Sequence, residues 1–104
     1  MKKSNISLHT FSKRLKEMRL SRGLSQKQLG ILAGIDEFVA STRINRYEKG
    51  VHQPSLDVAR QLAKALDIPL AYLYTDDDLL ADLVAAWASL APEKKKHIQS
   101  IVYF

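Results

Sequence analysis

The chain has no cysteine, which excludes a disulfide framework and a Cys-based zinc site. Its three histidines, His9, His52 and His97, form no constellation with a nucleophile or a metal-ligand set, so neither an enzyme nor a metal or other cofactor is expected. No apolar run approaches the length of a membrane span. The N-terminal stretch "MKKSNISLHT" carries charge but no apolar core after it, so it does not read as a signal peptide. The expectation is a soluble, cytoplasmic protein. No segment alternates at period two, so no sheet is expected. Internal repeats and low-complexity tracts are lacking as well.

What is present fits in 104 residues, enough for one domain with an appendage and a core that needs no staples. The net charge is +5, and its distribution is uneven: residues 1–75 hold 13 Lys and Arg against 6 Asp and Glu, residues 76–104 only 3 against 5. A basic front and a mildly acidic tail suggest a polyanionic partner for the front.

The apolar pattern is helical nearly throughout. Phe11, Leu15 and Met18 recur at helical spacing before a stop at Gly23. Ser25 is a good N-cap for a helix over Gln26–Ala33, closed by Gly34 in the left-handed region. A third helix runs to Tyr47 or Glu48. After the "KGVHQP" loop, Ser55 caps a helix over Leu56–Leu66 whose core face is Ala59, Leu62, Ala63 and Leu66. Pro69 opens a short fifth helix through Tyr74.

Residues 11–75 now resemble a known family. The stretches "RLKEMRLSRGLSQKQLG", "AGI", "RINRYEKG" and "QPSLDVARQLAKALDIPLAYLY" are similar, in this order and spacing, to the Cro/C1-type (XRE) helix-turn-helix domain. The resemblance implies an all-α, lambda-repressor-like fold of five helices, here with one or two extra C-terminal helices. It divides the chain into a basic arm (1–10), the DNA-binding domain (11–75) and a helical extension (76–104). It also implies double-stranded DNA as partner and a second helix lying in the major groove.

In such a reader Ile44 and Tyr47 face the core, which turns Thr42, Asn45 and Arg46 toward the groove with Ser41 at the leading edge. The family's base-contacting positions fall on Ser41, Thr42 and Arg46. Arginine can fork onto guanine, while Ser and Thr select less. Backbone contacts are expected from Gln26, Lys27, Arg43, Lys49, His52, Gln53 and Ser55, partly through helix N-termini. For Gln26 the alternative is to steady a reader side chain. The resemblance also implies that Arg19 pairs with Glu48 of "YE", a positioning contact and not a base contact.

One spacing departs from the pattern: the family places about six residues from the turn glycine to the first apolar residue of the reader, whereas Gly34 to Ile44 spans ten, an excess close to one helical turn. Either Asp36 caps a reader lengthened at its front, or Ser41 remains the cap and "DEFVA" forms a longer turn. Phe38 is expected to add to the core. Gly30, where the family prefers alanine, costs about 1 kcal/mol of helix propensity and can permit close packing beneath the insert.

In the tail, Asp76 to Asp78 suit a helix N-terminus. Leu79, Leu80, Leu83, Val84, Trp87 and Leu90 form a broad apolar stripe. Pro92 starts another helix with Ile98, Ile101 and Val102. The stripe either completes the monomer's core or meets another subunit; a homodimer using Leu83, Trp87 and Leu90 is expected. The whole reads as a sequence-specific transcriptional regulator, a repressor dimer on a palindromic operator. An antitoxin-type autoregulator and a helical interaction module without DNA binding stand as alternatives, and any protein partner is unknown.

Overall fold

The computed structural model describes residues 6–103, with side chains from His9 onward. Among the described residues six α-helices follow one another: α1 Ile6–Ser21, α2 Gln26–Leu32, α3 Glu37–Glu48, α4 Leu56–Leu66, α5 Asp78–Trp87 and α6 Pro92–Val102. A short 3-10 helix, Leu70–Tyr74, lies between α4 and α5. No strand occurs among the described residues.

The capping chemistry sets the boundaries. Ser25 Oγ accepts from Gln28 N at 3.0 Å while Gln28 Oε1 accepts from Ser25 N at 2.8 Å. This reciprocal box satisfies two donors that a helix start would otherwise leave open. Ser55 caps α4 through Val58 N at 3.2 Å, and Asp77 caps α5 through Leu80 N at 2.9 Å. Gly34 has φ +87°, a conformation costly for a side chain, and it lets the chain leave α2 and turn directly into α3. The fifth helix expected after Pro69 is a 3-10 turn. At five residues it is of the length at which that tighter form is common.

The first helix begins earlier than expected. It starts at Ile6, so the second half of the segment assigned to a basic arm is helical; residues 1–5 lie outside the described residues. The reason is visible one turn on. Thr10 is buried and donates to Asp76 Oδ1 at 2.9 Å, so the start of the tail clamps this part of α1.

The core lies where α1 to α4 converge. Phe11 and Leu15 from α1, Leu29 from α2, Ile44 from α3, and Leu62 and Leu66 from α4 are fully buried, with Leu73 of the 3-10 helix beneath them. Arg14 crosses the seam between α1 and the tail. Its Nε donates to Thr75 O and its Nη2 to Asp76 O and Asp78 Oδ1, each at 2.9 Å. Its guanidinium also stands 5.8 Å from the Tyr72 ring centre. Arg22 donates to Leu66 O at 2.8 Å and so ties the end of α1 to the end of α4.

The tail divides in two. In α5, Ala81 is fully buried while Val84 and Ala85 pack against the core; α6 buries no residue. The radius of gyration is accordingly 15.0 Å, against about 13 Å for a compact domain of this size.

Two outcomes follow from this packing. Hydrogen bonding to Arg14, with Lys13 nearby, holds the Asp78 carboxyl below the ordinary aspartate range. A lowered carboxylate pKa favours the folded state above its unfolded value, and that contribution is lost as pH falls through the lowered value. Asp78→Asn should therefore flatten the acid limb of a stability-against-pH curve below about pH 4. At Gly30, a Cβ would stand 2.6 Å from Ala40 Cβ and 3.0 Å from its Cα. Gly30→Ala gains about 1 kcal/mol of helix propensity, but overpacking costs about 1–3 kcal/mol. Since α3 backbone must move, a melting temperature lower than wild type is expected; a higher one would mean that α2 and α3 do not touch there.

Candidate nucleic-acid interface

The interface is built on α2 and α3. The four surplus residues ahead of Ile44 are helical. Asp36 is the N-cap of α3, its Oδ1 accepting from Phe38 N at 2.8 Å, so Ser41 lies one turn inside the helix. Ala40, Ile44 and Tyr47 form the buried face. Ala40 is the residue that Gly30 admits, and the missing side chain of α2 is thus explained by the extra turn of α3. Phe38 does not join the core as expected: it is 88% exposed. Its position in the first turn places it away from the face that carries Ala40 and Ile44, and the small Ala40 takes the inward place instead.

A polar network then fixes the end of α3. Arg19 Nε and Nη2 fork onto the two Glu48 carboxylate oxygens, the longer contact being 3.1 Å and the shorter 2.6 Å. Arg19 Nη1 also donates to Leu24 O at 2.9 Å. The pair is buried, with side chains 9% and 3% exposed. Gln26, in the first turn of α2, donates to Glu48 Oε1 at 3.1 Å and to Asn45 Oδ1 at 3.2 Å. Ser12 donates to Tyr47 O at 2.7 Å. Helices α1, α2 and α3 are therefore joined through hydrogen-bonded groups, and no buried side-chain N or O among the described residues lacks a partner.

This network leaves the outer side of α3 facing water. Ser41, Thr42, Arg43, Arg46 and Lys49 are exposed, and none of their side chains makes an ion pair among the described residues. Beyond α3, His52 and Gln53 are exposed in the loop, with Val51 N donating to Arg46 O at 3.0 Å to fold it back. Lys27 is exposed beside Gln26. A helix pair of this form, one brace and one cationic outward ridge, has the geometry of a DNA reader.

Comparison with known proteins agrees. The family model described as helix-turn-helix matches residues 15–73, more than half of the chain. The chain belongs to the Cro/C1-type helix-turn-helix family. It is 32% identical over 74 residues to the cryptic phage CTXphi transcriptional repressor RstR of Vibrio cholerae. That match covers 69% of this chain and 61% of the repressor, so the chain spans less than two thirds of that relative's length. Among solved structures, it is similar to the crystal structure of the transcriptional regulator BswR. The TM-score is 0.80 at 47% identity, covering 88% of this chain and 90% of that one. One of these relatives is a transcriptional repressor and the other a transcriptional regulator.

Against this family frame, the residues expected at the interface separate into two groups. Ser41, Thr42, Arg46, Lys49, His52, Gln53 and Lys27 stand exposed on the outside, and Arg43 is exposed while its Nη1 donates to the Tyr47 hydroxyl at 3.4 Å. Asn45 and Gln26 are half-buried, and Gln26 donates to the Asn45 side-chain oxygen. Ser55 spends its oxygen as acceptor on the α4 cap. The Arg19–Glu48 pair is formed as the resemblance implied. Sequence reasoning missed Ser12 and Arg14, which hold α1 to α3 and to the tail. The signal for Arg14 was available: it lies three residues after Phe11 and one before Leu15, on a face that turns inward.

Removing Arg19 strands the Glu48 carboxylate in a buried place. Breaking a buried pair from one side costs about 3–5 kcal/mol, so Arg19→Ala should unfold at much lower denaturant. Adding Glu48→Gln to that variant should restore part of the loss, since it removes the stranded charge. A double variant no more stable than Arg19→Ala would mean that the pair contributes by packing alone.

Proposed function

We propose that the protein is a sequence-specific double-stranded-DNA-binding transcriptional regulator that represses by occupying an operator. The observation that carries this reading is the outward ridge of α3, whose Thr42, Arg46 and Lys49 are exposed while the opposite face is fixed through Glu48 to Arg19 and Gln26. Thr42 and Arg46 are the base readers, with Ser41 beside them. Arg46 forks onto guanine O6 and N7, and the Thr42 methyl suits thymine. Lys27, Arg43, Lys49, His52 and Gln53 take phosphates, which position the domain without selecting sequence.

The operating unit in this reading is a homodimer on a palindromic site. One reader covers too few base pairs for a unique address, and two readers solve this with half-sites about 34 Å apart. The tail supplies a surface for it. On α5, Leu79 and Leu80 are exposed and Leu83 is 39% exposed, while Pro69, Leu83, Val84 and Trp87 line an open groove of about 300 Å3. On α6, Ile101, Val102 and Tyr103 at its end are exposed. Trp87 and Leu90 are only half-buried. Lys95 of α6 stands over the Trp87 ring at 5.6 Å, a weak hold for a helix with no buried residue. A second copy of this acidic-and-apolar α5 and basic α6 complements the first.

Selection of bound duplexes from random DNA, followed by titration of variants, tests the assignment. Arg46→Ala should lower affinity for the selected site by about 1–3 kcal/mol and relax one base position. Lys49→Ala should weaken every sequence alike and reduce the salt slope by about one unit. Trp87→Ala should sediment as monomer with unchanged helix content and lose more affinity for the palindrome than for a half-site. Equal weakening of all sequences by Arg46→Ala would remove its reading role. Wild-type protein that stays monomeric at tens of micromolar would remove the tail dimer.

A further inference from the structure

The extra turn at the front of α3 ends in an aromatic ring that the fold does not use. Phe38 is 88% exposed, although its backbone N–H is fixed by the Asp36 cap at 2.8 Å. Spacing along the helix places it: Phe38, Thr42, Arg46 and Lys49 follow one another at intervals of four, four and three residues, so they lie along one ridge. The buried face, Ala40, Ile44 and Tyr47, points the other way. Phe38 is therefore the leading member of the same row that carries the base readers.

We infer that Phe38 is a specificity-determining residue that reads the C5-methyl group of a thymine in the major groove. The inference rests on the DNA-reading assignment above. In a helix-turn-helix the N-terminal residues of the second helix meet base edges. One added turn carries the ridge forward by about 5.4 Å, more than one base-pair step. At that place the ring meets either phosphate or a base edge. It has no hydrogen-bonding group for phosphate, so an apolar group on a base edge is the contact its chemistry suits. The apolar group on the floor of the groove is the thymine methyl, and phenyl-to-methyl contact is among the direct readout pairings. Val39, seven residues before Arg46 and 43% exposed, borders the ridge on the side of Arg43.

The experiment begins from the duplex selected by wild-type protein. Each thymine is replaced in turn by deoxyuridine, which deletes only the methyl group. At one thymine per half-site, wild-type affinity should fall about fourfold, the effect of exposing one methyl-sized group. Phe38→Ala should bind the thymine duplex with that loss already present and should not distinguish uracil from thymine there. Its melting temperature and salt slope should equal wild type, because the ring touches neither core nor phosphate. Phe38→Leu should retain part of the discrimination. A wild-type protein indifferent to uracil at every thymine, while still selecting its site, overturns the inference and the thymine contact given to Thr42, and leaves DNA reading through Arg46 standing. A Phe38→Ala protein that keeps the full thymine preference overturns the inference alone. A wild-type protein that selects no duplex overturns both.

Discussion

The arrangement depends on one ion pair, Arg19 with Glu48. A reader helix is useful only if its outward ridge is held at a fixed angle to the rest of the domain, and α3 has little besides Ala40, Ile44 and Tyr47 to hold it by packing. The fork between Arg19 and Glu48 supplies direction as well as attraction, because both guanidinium contacts must align with both carboxylate oxygens. Gln26 extends the hold to α2 and to Asn45. Net stabilisation from such a buried pair is small. Its consequence is positional: the ridge has one orientation.

Pairing within the fold also consumes part of the basic charge of the front. A basic front invites the reading that every arginine there meets a polyanion. Arg14, Arg19 and Arg22 do not: they are spent on carbonyls and carboxylates of the fold. Arg43, Arg46 and Lys49 remain exposed on or beside the reader. Fewer basic groups are therefore left exposed than the net charge suggests; besides those on or next to α3 they include Lys16, Lys27, Arg60 and Lys64. The acidic start of the tail, through Asp76 and Asp78, is where Arg14 and Thr10 find their partners.

Much of this was legible in the sequence. Local signals placed Ser25, Gly34 and Ser55, because capping and left-handed turns are decided by a few adjacent residues. The core face of α4 was legible from its period. What was not legible depended on partners distant in the chain. Capping could not choose between Asp36 and Ser41, since both are good caps; the choice rests on Ala40 packing against Gly30. Size and hydrophobicity argued for Phe38 in the core, but the extra turn brought a smaller residue to the inward place. The helical start of the supposed arm depended on Thr10 meeting Asp76, a contact across most of the chain. Of the interface, the family pattern gave the ridge and the Arg19–Glu48 pair, while the occupation of Asn45 by Gln26 required the geometry.

The central claim is that α3 meets DNA by its outward ridge while its inner face stays locked. The most direct measurement is an amide and arginine side-chain NMR titration of the protein with its selected duplex. The largest shifts should fall on residues 38–49 and on the loop through Gln53, with the Arg19 Nε signal unmoved. Large shifts confined to α5 and α6, with the α3 ridge unchanged, would contradict the account.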